Sequence, residues 1–241
     1  MFEIDSELNL ILENKRVALI GPSNHLIGSG LGKIIDSYDV VCRINESYAY
    51  GYEKDYGERT DIVFHNMNSL DGIPQIEEEF KEKWEEIKKI KYYVCPQYKI
   101  DDLNINLIEA FRKINFLNIP FYYIGDRNYD LLRSRFSLKP STGLISSEML
   151  LEYNIRELFI SGLSFYYGKN LIAEGVHPAH YVGKLPQGGP TNGHNFLKEM
   201  EYFSLLMIKN CNRTRIDSFL YKILRLNGFF VRSDVCMIKD I

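Results

Sequence analysis

Short apolar runs alternate with stretches of helical period along most of the chain. Arg16–Ile20 is apolar after its first residue, reads as a buried strand, and stops at Gly21-Pro22-Ser23-Asn24. Asp39–Arg43, Thr60–Phe64, Lys91–Cys95, Phe121–Ile124 and Glu157–Ile160 have the same character and complete a set of strands. Between them Ile76, Phe80, Trp84 and Ile87 recur on one helix face, with a solvated face of acids and lysines. Thr142–Glu152 and Phe196–Lys209 also read as helices. Strands alternating with helices predict an α/β fold: parallel βαβ units, with helices on both faces of a mostly parallel sheet. The 241 residues suit one domain, with no repeat, low-complexity segment or linker. Gly183–Gly193, rich in Gly and Pro, reads as a loop beside a site.

Composition narrows the function. Hydrophobic residues make up 45% and charged residues 25%, enough for a core, and a net charge of -3 gives no field that favours nucleic acid. Cys42, Cys95, Cys211 and Cys236 show neither C-x-x-C spacing nor pairing with histidines, so no zinc site or disulfide framework is expected. They read as reduced thiols of a cytoplasmic protein. No apolar run approaches the ~20 residues that cross a bilayer. The start, MFEIDSELNLILENK, lacks the basic and apolar blocks of a signal peptide. From Lys209 onward, Lys209, Arg213, Arg215, Lys222, Arg225 and Arg232 interleave with Phe219, Leu220, Ile223, Leu224, Phe229 and Phe230. That pattern suits either a membrane-surface segment (209–232) or a closing helix whose apolar side is core.

The candidate chemistry lies where strands end. In open parallel sheets ligands bind outside the carboxyl ends of strands. Gly21, Ser23 and Asn24 follow the first strand, and Asn45 follows the second with an amide able to donate and accept. Gly28-Ser29-Gly30-Leu31-Gly32 is not G-x-G-x-x-G and sits past the turn, so it reads as packing glycines more readily than as a dinucleotide loop. Lys139-Pro140-Ser141-Thr142-Gly143 opens a helix, either as a plain cap or as an anion site. Three of five histidines come late, at His177, His180 and His194. His194 precedes a helix N-terminus, which disfavours its cationic form and suits a proton acceptor. Glu199 follows five residues later, too far round a helix to stack on it. No D-x-D occurs, so a metal-diphosphate grip is not expected.

In combination these segments resemble the eukaryotic-type sialyltransferases, glycosyltransferase family twenty-nine. Gly21 through Asn45, continuing to Tyr56–Asp61, resembles the large motif. Pro140-Ser141-Thr142-Gly143 through Ser161-Gly162-Leu163-Ser164 resembles the small motif. His180-Tyr181 matches the third motif, and His194 to Glu199 matches the very small motif His-x-x-x-x-Glu. The four stand in the family's order, from residue 16 to about 205, leaving roughly the last forty residues uncovered.

The resemblance implies a GT-A-like, single Rossmann-type domain and an inverting enzyme that uses a CMP-sugar without metal or other cofactor. By position His194 would be the general base and His180 would assist the departing CMP phosphate, with Tyr181 and Glu199 in support. Asn45 would contact the nucleotide. Lys139, Ser141, Thr142, Gly143, Gly162 and Ser164 would hold the rest of the donor. The sugar would be a sialic acid or a Kdo-type relative, and the acceptor a glycan hydroxyl, free or lipid-linked. The family's first Asn is Pro22 here, leaving Ser23 or Asn24 to replace it. Its disulfide is replaced by Arg16 and the Tyr153–Asn154 region, which, with the missing anchor, suits a microbial or viral cytoplasmic member. The bacterial sialyltransferases of family forty-two share Ser161-Gly162 and Phe165-Tyr166 and would make His180 the base. A non-catalytic nucleotide-binding module is the rival from another class, and an NAD-dependent oxidoreductase lacks its glycine fingerprint here.

Overall fold

The computed structural model describes residues 4–45, 51–65, 89–96, 118–136, 140–165, 195–229 and 236–237. Eight strands form one sheet: β1 (Arg16–Ile20), β2 (Val40–Ile44), β3 (Ile62–Phe64), β4 (Tyr92–Cys95), β5 (Phe121–Tyr123), β6 (Glu157–Ser161), β7 (Thr214–Ile216) and β8 (Cys236–Met237). Their spatial order is β5-β4-β3-β2-β1-β6-β7-β8, and every pairing is parallel. The helices are α1 (Ser6–Leu12), α2 (Gly32–Asp36), α3 (Glu53–Tyr56), α4 (Asp126–Phe136), α5 (Thr142–Glu152), α6 (Phe196–Lys209) and α7 (Ser218–Leu226). A 3₁₀ turn spans Asn24–Leu26.

The apolar runs form strands because both faces of the sheet are covered. Val17, Leu19, Val40, Cys42, Leu158 and Ile160 pack into one core with residues of α1, α5, α6 and α7. The residues between them, Ala18, Ile20, Val41 and Phe159, pack on the other side with Leu31, Ile35, Tyr38 and Tyr56. A parallel sheet buried on both faces has no polar alternation to keep. α5 lies almost wholly in the interior: Thr142 through Leu151 are all buried. Its two interior serines are satisfied locally, Ser146 Oγ donating to Thr142 O and Ser147 Oγ to Gly143 O, each at 2.7 Å.

The starts of β1 and β6, where the resemblance places an absent disulfide, are joined by hydrogen bonds. Asn14 N donates to Asn154 O and Arg156 N to Lys15 O, both at 2.8 Å. Arg16 stacks over Tyr38 at 4.3 Å, and Tyr38 Oη donates to Glu157 at 3.0 Å.

On α7 the apolar side of the basic C-terminal pattern belongs to the core. Leu220, Ile223 and Leu224 on α7 are fully buried, while Lys222 and Arg225 face out. The side chains that would enter a lipid interface are therefore spent inside the domain, which corrects the membrane-surface expectation for this helix. Among the described residues no helix is long and apolar enough to cross a membrane. The helix expected around Ile76–Ile87 and the Gly183–Gly193 loop lie outside the described residues.

Candidate active site

The strand order reverses at β1. From β1 the chain runs outward to β5, then returns to lay β6, β7 and β8 on the other side. Connections leaving in opposite directions open a crevice at the carboxyl ends of β1 and β6, where doubly wound sheets take their ligands.

Two glycines let those strand ends meet. Gly21 N donates to Ser161 O at 2.8 Å, and Ser23 N donates to Gly162 O at 3.0 Å. A Cβ on Gly21 would stand 2.5 Å from Gly162 O, and one on Gly162 would stand 2.3 Å from Gly21 O. Gly162 also has φ +74°, left-handed territory that favours glycine. Gly143, at the start of α5, packs against Leu163 and Ile44. That contact brings the N-terminus of α5 to the ends of β2 and β6. Gly21, Ser23, Asn24, Asn45, Ser141, Thr142, Gly143, Gly162 and Ser164 thus converge on one edge, although 143 positions separate the first from the last of them.

Their side chains are committed to different degrees. Ser23 is 3% exposed, and each of its polar atoms has a protein partner. Its carbonyl accepts from Tyr56 Oη at 2.6 Å, and its Oγ meets His25 Nδ1 at 3.0 Å. Burial, then the nearby Asp55, pushes the Tyr56 phenol up, so it remains a donor. Asn24 differs: its side-chain carbonyl oxygen is buried and has no hydrogen-bond partner among the described residues. Asn45 adopts φ 52°, which Asn tolerates, and its backbone N–H donates to Phe64 O at 2.7 Å just past the end of β2. Behind it Arg43 is 1% exposed and donates to the carbonyls of Tyr56, Gly57 and Arg59.

Glu199, on α6, is fully buried and turned toward α5. Its carboxyl group accepts from Ser141 N at 3.2 Å and from the Ser141 hydroxyl. Ser141 Oγ also accepts from Leu144 N at 3.4 Å as a helix cap. Both polar groups of Ser141 therefore serve structure, and Thr142 and Gly143 carry the helix N-terminus toward the edge. The sequence places Glu199 too far round a helix to stack on His194; among the described residues it meets Ser141, 58 residues away.

The glycine loop has an internal ligand. Asp55 Oδ2 accepts from Gly28 N and Asp55 Oδ1 from Gly30 N, both at 2.8 Å. A dinucleotide phosphate would need those amides, and a carboxylate of the same chain fills them.

One group had no place in the sequence reading. Asp217 caps α7, its Oδ1 accepting from Leu220 N at 2.7 Å. Its Oδ2 accepts from Ser161 Oγ at 2.8 Å and Gly162 N at 3.0 Å, and meets His25 Nε2 at 3.1 Å. Burial raises its pKa, but the hydrogen bond and charge of His25 and the donors Leu220 and Ser161 outweigh this and hold it below the usual carboxylate range. The Asp-x-x-Leu spacing at 217–220 was a legible cap signal; its reach to His25, 192 residues away, was not.

Lys139, His180, Tyr181 and His194 lie outside the described residues. Among the described residues no cluster of three or more His, Cys, Asp or Glu has metal-binding geometry.

Residues 9–119 match the model of Glycosyltransferase family 29 (sialyltransferase). The chain is similar to that family over this segment, which is a little under half of its length. The chain is 38% identical over 60 residues to the mouse CMP-N-acetylneuraminate-beta-galactosamide-alpha-2,3-sialyltransferase 2, covering 25% of this chain and 17% of the mouse protein. It is 30% identical over 88 residues to the Arabidopsis thaliana Beta-1,6-galactosyltransferase GALT29A, covering 36% of this chain and 22% of that one. The chain thus spans about a fifth of the length of these curated relatives. The fold is also that of solved sialyltransferases. A mammalian sialyltransferase in complex with Gal-beta-1-3GalNAc-ortho-nitrophenol superimposes with TM-score 0.53 at 17% identity, over 89% of this chain and 73% of that one. CstII from Campylobacter jejuni, in complex with cytidine-5'-monophosphate, gives TM-score 0.53 at 16% identity, over 85% and 80%. The large-motif half of the candidate site lies within the matched segment. α5, β6 and α6 contribute the remainder from beyond it.

Proposed function

We propose that this chain, as a single domain, is an inverting glycosyltransferase that needs no metal or other cofactor. It moves a sialic acid or Kdo-type keto-sugar from a CMP-sugar to a glycan hydroxyl. The observation that carries this reading is the convergence of large-motif residues (Gly21–Asn24, Asn45) and small-motif residues (Ser141–Gly143, Gly162–Ser164) on the edge where the strand order reverses. The unpartnered Asn24 carbonyl supports a nucleotide contact there in place of the family Asn that Pro22 displaces. Thr142 and Gly143 present a helix N-terminus suited to phosphate or the sugar carboxylate.

In this reading the bond from the anomeric carbon to phosphate breaks, and its electron pair leaves with CMP. His180 and Lys139 stabilise the charge on the departing phosphate, as a metal would elsewhere. The acceptor oxygen attacks the opposite face, and its proton passes to a neutral His194. Proton transfer of this kind contributes typically 10²–10⁴-fold, and alignment of the two substrates supplies the larger share. The acceptor is a free or lipid-linked glycan, and the enzyme works in the cytoplasm.

The test begins with CMP. At a hundredfold excess over Kd, CMP should raise the melting temperature by about 5–10 °C and NAD should leave it unchanged. CMP release from CMP-Neu5Ac and CMP-Kdo, with and without simple glycosides, then identifies the sugar. A UDP-galactose arm is included because one relative is a galactosyltransferase by name. No shift with CMP, or turnover of UDP-galactose alone, overturns the proposal.

A further inference from the structure

The crevice has two walls, and one carboxylate touches both. On the β6 side, Asp217 Oδ2 accepts from Ser161 Oγ and Gly162 N, at 2.8 and 3.0 Å. On the β1 side it holds His25 Nε2 at 3.1 Å, and His25 Nδ1 holds Ser23 Oγ at 3.0 Å. An ionised carboxylate only accepts, so Nε2 must carry the hydrogen. Nδ1 then accepts from the Ser23 hydroxyl in the neutral ring or donates to it in the charged one. In either state the ring has one orientation. Phe219 locks it further, stacking on His25 with centroids 4.1 Å apart and planes 20° apart. The His25 and Asp217 side chains are 5% and 4% exposed, so water does not compete for these bonds.

Asp217 and Phe219 stand at the start of α7, beyond both the matched family segment and the four motifs. We propose that Asp217 is a positioning residue acting through His25. It sets the spacing between the Gly21–Asn24 wall and the Ser161–Gly162 wall, and so fixes where Asn24 meets the nucleotide. The β7–α7 unit is then a working part of the donor site. The kinetic half of this claim rests on the proposed transferase function; the structural half does not.

The experiment uses the full chain with His25→Gln and Asp217→Asn, singly and together, and with Phe219→Leu as a milder probe. His25→Gln should raise donor KM about tenfold, the scale of a lost hydrogen bond to a charged group, with kcat and acceptor KM changed less than threefold. The double variant should resemble the worse single one, because both residues act in one chain of contacts. Amide hydrogen exchange at residues 23–27 should quicken in each folded variant while exchange in β4 stays the same. If the wild type neither binds CMP nor turns over a CMP-sugar, the functional reading fails and exchange alone judges the positioning claim. Unchanged exchange at 23–27 in folded His25→Gln and Phe219→Leu overturns it. So does a donor KM within twofold of wild type in an active enzyme. A fall in melting temperature with KM and exchange unaltered would make the pair purely a stabilising contact, which also overturns it.

Discussion

Replacing Gly162 by alanine probes the site edge most directly, because two separable costs meet there. The first is conformational: an L side chain at φ +74° costs about 1–2 kcal/mol. The second is steric, since the new Cβ would stand 2.3 Å from the carbonyl oxygen of Gly21. That oxygen is backbone at the carboxyl end of the β1–β6 ladder, so relief requires the two strand ends to part. Overpacking of this kind costs about 1–3 kcal/mol, giving about 2–5 kcal/mol in total. Two other glycines isolate the terms. Gly228 has φ +71° and nothing within 4 Å of a built Cβ, so Gly228→Ala should show the conformational cost alone. Gly21→Ala has no positive φ but places a Cβ 2.5 Å from Gly162 O, so it should show the steric cost alone. Urea unfolding of the three variants gives the ledger, and CMP titration of the folded ones gives the consequence. Gly162→Ala should lose the Ser23 N to Gly162 O bond, 3.0 Å in the native edge, and bind CMP at least tenfold more weakly, whereas Gly228→Ala should bind it normally. If Gly162→Ala is no less stable than Gly228→Ala and binds CMP as tightly as wild type, the edge is not the close-packed donor wall argued here.

Activity should survive excess EDTA in full; a loss that magnesium or manganese restores would reinstate a metal-assisted mechanism. His194→Ala should lower turnover by about 10²-fold or more with CMP binding retained, whereas His180→Ala should weaken donor binding as well. Near-normal turnover in His194→Ala would move the base to His180. Glu199→Ala should cost about 1–3 kcal/mol in urea unfolding, since it leaves the half-buried amide and hydroxyl of Ser141 without the Glu199 acceptor, and Glu199→Gln should recover part of that. A cost below half a kcal/mol for Glu199→Ala would mean that water or another group replaces the carboxyl.

The central strands were legible because each is an unbroken apolar run pressed between two helical layers. β1 appears with the bounds read from the sequence, and α5 and α6 do too. The strands read as Asp39–Arg43 and Thr60–Phe64 begin later, at Val40 and Ile62, for a shared reason. Polar side chains stand in for backbone there: Asp39 Oδ2 takes Arg16 N, Asp61 Oδ2 takes Val41 N, and Thr60 Oγ1 receives Arg43. β7 escaped notice because three residues with an arginine in the middle, Thr214–Ile216, carry no apolar run; their burial comes from the neighbours β6 and α7. In the site, local signals marked the strand-end glycines and the Ser141 cap. The pairings that hold the edge (Ser141 with Glu199, Gly28 and Gly30 with Asp55, His25 with Asp217) join residues 25 to 192 positions apart, and nothing local encodes them.

The parallel pairing of β1 with β6 has a temporal side. β1 ends at Ile20, and its partner on that edge ends at Ser161. At ribosomal speeds of about 5–20 residues per second, β1 waits roughly 7–30 s between leaving the exit tunnel and meeting β6. Its other edge closes early against β2, whose residues follow within the same stretch of chain. Throughout the delay an apolar strand presents open amides and carbonyls, the geometry that recruits foreign strands. Asp217 arrives later still, 56 positions after Ser161. The nascent chain therefore carries half a binding edge for most of its synthesis. Slowing translation between the two halves should harm yield more than slowing it after β7, with the finished protein unaltered in either case.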